Sequence, residues 1–172
     1  RLELGAAALD GALTLLASDD DPVADLSLLS QAANKSCFES SVSTGASAAH
    51  VASGDPRVLK VCIWTPDKDL AQCVRDDRVV QVARRSKPPI MDASAIRKKF
   101  GVMPEYIPDF LALVGDSADG YPGISGIGKV GAARLINDYG TIENFPEKVL
   151  GARRKEALLF KRLATLRLDA KP

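Results

Sequence analysis

Leu113-Val114-Gly115-Asp116-Ser117-Ala118-Asp119-Gly120-Tyr121-Pro122-Gly123-Ile124-Ser125-Gly126-Ile127-Gly128-Lys129-Val130-Gly131-Ala132-Ala133 places two chemistries side by side. Asp116 and Asp119 are three residues apart, so one helical turn or one tight loop aims both carboxylates at a single point. Five glycines and a proline then fall between Gly120 and Gly131, and the stretch runs into a helical pattern over Val130 to Tyr139. A glycine hairpin entering a helix presents backbone N–H groups that suit a phosphate. An acidic pair beside a phosphate cradle is coherent if a divalent cation joins the two.

Upstream of this stretch, Val58 to Thr65 is β-branched and apolar, as expected of a strand buried on both faces in a parallel sheet. Pro66 ends it, and Asp67-Lys68-Asp69-Leu70-Ala71-Gln72 starts a short helix. Asp67 and Asp69 therefore sit at the carboxyl end of a strand, where open α/β sheets place their ligands. Two converging acidic pairs repel unless a cation or proton lies among them. Mg²⁺ or Mn²⁺, bound by carboxylates and retained waters, answers that need and suits phosphodiester hydrolysis. Simpler roles fit the same residues. Asp67 fits as a helix cap, Asp69 as a first-turn acid favoured by the helix dipole, and Asp119-Gly120 as a turn. The glycine hairpin equally fits a tight corner between helices, with Lys129 pointing into water.

The other elements frame these pairs. A helix is expected over Ala46 to Ser53, a second strand over Arg78 to Ala83, and a helix capped by Asp92 or Ser94 that Gly101 stops. Pro104 to Val114 contains another helix, and Pro146 to Leu168 is helical with basic residues outward. Ala6 to Leu16 fits a strand or a helix, Pro22 suits the first turn of a new helix, and Ser36 to Ser47 reads as a loop.

With 46% hydrophobic and 26% charged residues, the chain has the composition of a globular protein long enough to bury a core. No apolar run approaches the roughly 18 residues that span a bilayer, so a membrane protein is not expected. Cys37, Cys62 and Cys73 lack CxxC spacing and suit reduced thiols in a cytoplasmic protein. His50 is the sole histidine, so no zinc cluster of Cys and His is available and a structural role is expected. The net charge of +1 hides an asymmetry: residues 1–50 carry −5 and the remainder +6. A basic C-terminal part holding a glycine hairpin suggests a polyanionic partner.

Three segments together resemble one family. Thr65-Pro66-Asp67-Lys68-Asp69-Leu70-Ala71-Gln72 is similar to the Thr-x-Asp-Lys-Asp-Leu-x-Gln segment of the structure-specific 5′ nucleases. These are the 5′–3′ exonucleases and flap endonucleases, including the N-terminal nuclease domain of bacterial DNA polymerase I. Val114 to Gly123 resembles their Gly-Asp-x-x-Asp-Asn-x-Pro-Gly segment, and Gly126 to Ala133 through Tyr139-Gly140-Thr141-Ile142-Glu143 their helix–three-turn–helix. Leu163-Ala164-Thr165-Leu166-Arg167 looks like the closing helix. The resemblance covers roughly residues 46–168. It implies an α/β, PIN-like parallel-sheet core, N-terminally incomplete, followed by a helix–three-turn–helix region. It further implies Asp67, Asp69, Asp116 and Asp119 as catalytic metal ligands for Mg²⁺ or Mn²⁺. Gly126, Ile127, Gly128, Lys129 and Gly131 would hold duplex DNA, with K⁺ at the hairpin. The partner implied is branched, flap or nicked DNA, met by a cytoplasmic monomer.

The segment organisation expected is a poorly defined N-terminal segment over 1–45, part of the nuclease core over 46–100, and a DNA-binding region over 101–172. Upstream, the chain departs from the family. Where relatives carry Glu-x-Asp-Asp before the alanine-rich helix, this chain has Phe38-Glu39-Ser40-Ser41-Val42-Ser43-Thr44-Gly45, in which Glu39 matches the Glu and the two Asp have become Ser or Thr. Asp10-Gly11 resembles the first-strand Asp-Gly, but too few residues separate it from Glu39 for the family's second strand and helical arch. The four aspartates would then complete only the second metal site. A non-catalytic DNA-binding module is the alternative function, and a PIN-type ribonuclease the third.

Overall fold

In the computed structural model, which describes residues 12–17, 42–83, 85 and 87–168, Val58–Trp64 forms the strand that its β-branched run predicts. Asp10, Pro22, Cys37 and Glu39 lie outside the described residues. The described residues divide into two compact units, one up to Ala95 together with Leu166 to Leu168, the other Ile96 to Thr165.

The first unit holds β1 (Ala12–Ala17), α1 (Val42–Gly54), β2 (Val58–Trp64), β3 (Val79–Val82) and β4 (Ile90–Met91), with the sheet ordered β1-β2-β3-β4. The α/β class is borne out. Its parallel part is the β2–β3 pair, which aligns Ile63 with Gln81, while β1 and β4 join as antiparallel edges. Burial on both faces, expected of β2, belongs instead to β3, whose four residues are all buried. In β2 Val61 and Ile63 are buried while the alternating Lys60, Cys62 and Trp64 are only half-buried, so that strand fully buries one face.

The helix α1 begins at Val42, inside the stretch 36–47 that reads as a loop. Ser, Thr and Gly disfavour helix locally, but packing overrides propensity here. Ala46, Ala49 and Ala52 form one cluster with Val58, Val61, Ile63, Leu70 and Cys73, and small side chains let the helix lie close on β2. The Ser47 hydroxyl donates to the Arg167 carbonyl at 3.1 Å, so even the polar residue on that turn has a partner. Cys62 and Cys73 are free thiols; burial pushes Cys73 up to about 12, although nearby Arg75 pulls the other way. His50 is exposed on α1.

Asp92 caps α2 (Ala93–Phe100), its Oδ1 accepting from the Ala95 amide at 2.7 Å as the sequence predicts. The second unit is built on α3 (Ile107–Val114), buried from Ile107 through Leu113. On it pack α4 (Lys129–Tyr139) and, past a short α5 (Glu147–Leu150), α6 (Arg154–Ala164). The continuous helical tail expected over 146–168 is interrupted. Gly151 takes φ 53°, residues Gly151–Arg153 form a 3₁₀ turn, and α6 stops at Ala164. Residues 166–168 return to the first unit, where the Leu166 amide donates to Gln72 Oε1 at 3.0 Å.

Within α3 the carboxylate of Asp109 is buried. Its Oδ1 accepts from the Ile142 amide at 2.8 Å and pairs with Lys161 Nζ at 2.9 Å. Lys161 also reaches Glu143 Oε2 at 2.7 Å, so one ammonium ties α6 to both acids. Among the described residues no helix is long and apolar enough to cross a membrane.

Candidate functional site

Asp67 and Asp69 stand on one turn of the first unit, where β2 gives way to a 3₁₀ helix over Lys68–Cys73. Asp67 caps that helix: its Oδ1 accepts from the Asp69 amide at 3.0 Å. Thr65 Oγ1 accepts from the Asp67 amide at 3.2 Å, and Gln72 Nε2 donates to the Asp69 carbonyl at 2.8 Å. The cap reading of Asp67 is therefore correct for Oδ1. One oxygen held by a backbone amide fixes the direction of the other, which is how a capping carboxylate can also serve as a ligand.

Gln81 was not among the expected site residues. Its side-chain amide donates to the Thr65 carbonyl at 3.0 Å and to the Asp67 carbonyl. The signal for it was a single polar residue inside Val79-Val80-Gln81-Val82. A buried amide is retained only where its donors are satisfied.

Asp116 and Asp119 stand on a loop of the second unit between α3 and the hairpin. Asp116 and Tyr121 exchange both backbone hydrogen bonds, at 2.9 and 3.1 Å, and the Ile124 amide reaches the Leu113 carbonyl at 2.8 Å. Below this pair the two strands of the loop touch at Gly115 and Gly123. A Cβ on Gly115 would lie 2.4 Å from the Pro122 carbonyl oxygen, and one on Gly123 2.4 Å from Val114 C. Both glycines have positive φ, 90° and 74°, so neither the space nor the backbone admits a side chain. Asp116 is 6% exposed, and its Oδ1 accepts from the Ala118 amide at 3.0 Å. Asp119 is exposed at the tip. Tyr121 anchors the loop's far end, stacked on Phe160 of α6 with ring centroids 5.7 Å apart. Asp119-Gly120 is thus the turn its dipeptide predicts, on a loop too tightly crossed to be an ordinary connection.

The hairpin follows at once. Ile127 N–H donates to the Ile124 carbonyl at 3.0 Å, Gly128 is the N-cap of α4, and no side chain caps that terminus. The first-turn amides of α4 thus have neither intrahelical nor side-chain cap partners, a geometry suited to an anion. Lys129 and Gly131 are exposed there, and Ile127 is half-buried. Arg153 braces the turn, Nη1 donating to the Ser125 carbonyl at 2.6 Å. Arg153→Ala is expected to speed hydrogen exchange of the Ile127 amide about five- to tenfold, the worth of one hydrogen bond of ~1 kcal/mol. Amides of α3 should not change; unchanged exchange at Ile127 would assign the hairpin's shape to its backbone alone.

The four aspartates thus stand as two pairs, Asp67 with Asp69 in the first unit and Asp116 with Asp119 in the second. Residues 102–171 match a sequence model of the family described as 5′–3′ exonuclease, C-terminal SAM fold. A 5′–3′ exonuclease of Aquifex aeolicus (strain VF5) is 44% identical over 86 residues, 50% of this chain and 29% of that protein. One from Buchnera aphidicola subsp. Baizongia pistaciae (strain Bp) is 32% identical over 126 residues, 63% of this chain and 41% of that protein. DNA polymerase I of Bacillus caldotenax is 34% identical over 125 residues, 65% of this chain and 14% of that protein. The chain thus spans less than half the length of each of these relatives. In structure it is similar to a mutant of T5 5′-exonuclease, with TM-score 0.52 and 17% identity over 69% of this chain and 50% of that one. T5 5′-exonuclease with bound zinc gives TM-score 0.53 and 18% identity over 70% and 46%. At these identities the likeness to T5 exonuclease is one of fold.

Proposed function

We propose that this chain is a member of the 5′–3′ exonuclease family, a reading supported by the match over residues 102–171 and by the likeness to exonucleases of Aquifex and Buchnera, and that it hydrolyses phosphodiesters of branched or nicked DNA. In this reading Asp67, Asp69, Asp116 and Asp119 are the ligands of a divalent cation, Mg²⁺ or Mn²⁺. The observation that carries it is the backbone crossing at Gly115 and Gly123, which holds Asp116 and Asp119 on a braced loop just ahead of the glycine hairpin. Four carboxylates without imidazole or thiolate make an oxygen-only donor set, and that set fits a hard cation. The amide-held Oδ1 atoms of Asp67 and Asp116 add to the fit, because each carboxylate is oriented before any ion arrives. The cation, when bound, supplies polarisation of phosphoryl oxygens and a lowered pKa for bound water.

The chain's own residues do the rest. Gly126, Ile127, Gly128, Lys129 and Gly131 hold a duplex phosphate through backbone N–H groups and one ammonium, with K⁺ at the hairpin, positioning DNA without reading sequence. Residues 46–100 are then part of the catalytic core and 101–172 the DNA-binding region of a monomer.

The test is cleavage of a labelled 5′-flap duplex in Mg²⁺ or Mn²⁺ beside Asp116→Ala. Product should fall about a hundredfold or more in the variant, at least the loss expected for disturbing a metal's ligand shell. Salt-sensitive binding with no product in either ion would overturn the reading in favour of a non-catalytic module. Preferential cleavage of single-stranded RNA would overturn it in favour of a PIN-type ribonuclease.

A further inference from the structure

The ladder between β2 and β3 ends where the Thr65 amide donates to the Val82 carbonyl at 3.0 Å. Beyond that point the chain must turn to carry Asp67 and Asp69 away from the sheet, and Pro66 has no N–H with which to continue the ladder. Gln81, 4% exposed, takes over from the neighbouring strand. Its Nε2 carries two protons, directed at the Thr65 carbonyl at 3.0 Å and at the Asp67 carbonyl. Those carbonyls flank Pro66, so one buried amide clamps both ends of the Thr65-Pro66-Asp67 turn. Held at its carbonyl, Asp67 keeps the extended backbone, φ −64° and ψ 121°, from which Oδ1 reaches the Asp69 amide.

We propose that Gln81 is a positioning residue for the Asp67 and Asp69 carboxylates, presetting the turn on which they bind a divalent cation. The inference rests on the cation reading above and extends it to a residue whose hydrogen bonds go to backbone carbonyls and not to the ligand oxygens. A purely structural Gln81 would instead stabilise β3 and leave the carboxylates alone. The fold could satisfy β3 with another apolar residue there, as at Val79, Val80 and Val82. What an apolar side chain cannot do is hold two carbonyls of the acidic turn.

The experiment compares wild type, Gln81→Met and Val82→Ala. Gln81→Met keeps the length and loses both donors. Val82→Ala trims a buried neighbour in the same strand and controls for lost stability. Two readouts are taken on each: calorimetric titration with Mn²⁺ alone, and hydrogen exchange of the Asp69 amide in the metal-free protein. Gln81→Met should weaken Mn²⁺ at least about tenfold, the usual loss when an outer-shell partner is removed. It should also speed Asp69 exchange, while Val82→Ala changes neither beyond what its melting temperature predicts. Wild-type Mn²⁺ affinity and Asp69 protection in Gln81→Met would overturn the inference, as would losses in both variants that simply track melting temperature. A wild-type protein that takes up no Mn²⁺ while Gln81→Met still loses Asp69 protection would sink the cation reading and leave the clamp standing.

Discussion

Gly115→Ala is expected to be among the most damaging single-methyl additions this chain can receive, lowering stability by about 3–5 kcal/mol. The new Cβ would meet the Pro122 carbonyl oxygen at 2.4 Å, Pro122 C at 2.5 Å and Gly123 N at 2.7 Å. All three are backbone, so no side chain can swing away to make room. The backbone conformation adds to this, because φ 90° is one that L side chains rarely adopt. To relieve the contact the loop would have to open the Asp116–Tyr121 pair and displace both acids. Gly120→Ala isolates the conformational part: its φ is 80°, but a Cβ there meets nothing within 4 Å. That variant should lose only about 1 kcal/mol. At roughly 2–4 °C per kcal/mol for a chain of this size, melting curves resolve the two with ease. Equal losses would mean that strain, not the crossing, limits this loop.

Lys161→Met is the second large effect, about 2–4 kcal/mol at neutral pH. Methionine preserves most of the stem's packing and removes the ammonium. Asp109 would remain, 1% exposed, still accepting from the Ile142 amide but with no ammonium beside it. Burial already holds the Asp109 carboxyl above its usual range, although the Ile142 N–H and Lys161 pull it down. Burial alone would lower Lys161, but hydrogen bonds to Glu143 and Asp109 outweigh it and raise it. For Glu143 burial raises the carboxyl, but hydrogen bonds from Lys161, its own backbone amide and Thr141 together outweigh it and hold the carboxyl low.

The signs follow from these directions. A carboxyl raised in the fold costs stability above its folded pKa, and the cost disappears as pH falls below the unfolded value. Losing Lys161 removes what pulls Asp109 down, so the defect of Lys161→Met should be larger at pH 8 than at pH 5. The lysine's own stabilisation is present at both, since it is lost only as pH rises through a value above 10.5. Denaturant titrations at the two pH values read the difference directly. An Asp109→Leu, Lys161→Met double variant should recover part of the loss, because no charge is then left buried. A defect equal at both pH values would show that Lys161 acts through packing alone.

How much of this was legible beforehand depends on how local each determinant is. Asp67 and Asp69 on a turn after a strand, Asp116 and Asp119 ahead of a glycine hairpin, and Asp92 before α2 all depend on neighbours within a few residues. So do the α/β class and the family resemblance, which the match over residues 102–171 bears out. The misreadings fall where distant partners decide. The helix α1 starts at Val42, among residues of poor helix propensity, and its Ala46, Ala49 and Ala52 pack with Val58 and Val61. The left-handed backbone of Gly151 divides a tail whose composition is helical throughout.

The sequence by itself determined which carboxylates and which glycines stand together and in what order, because side-chain type and short spacing are written in the chain. Only the tertiary structure decided how those groups are held. Gln81 on the Thr65–Asp67 turn, Lys161 beneath Asp109 and the contact of Gly115 with Pro122 are meetings between separated segments. Their geometry comes from close packing and from the demand that buried polar groups find partners, conditions that a linear pattern does not encode.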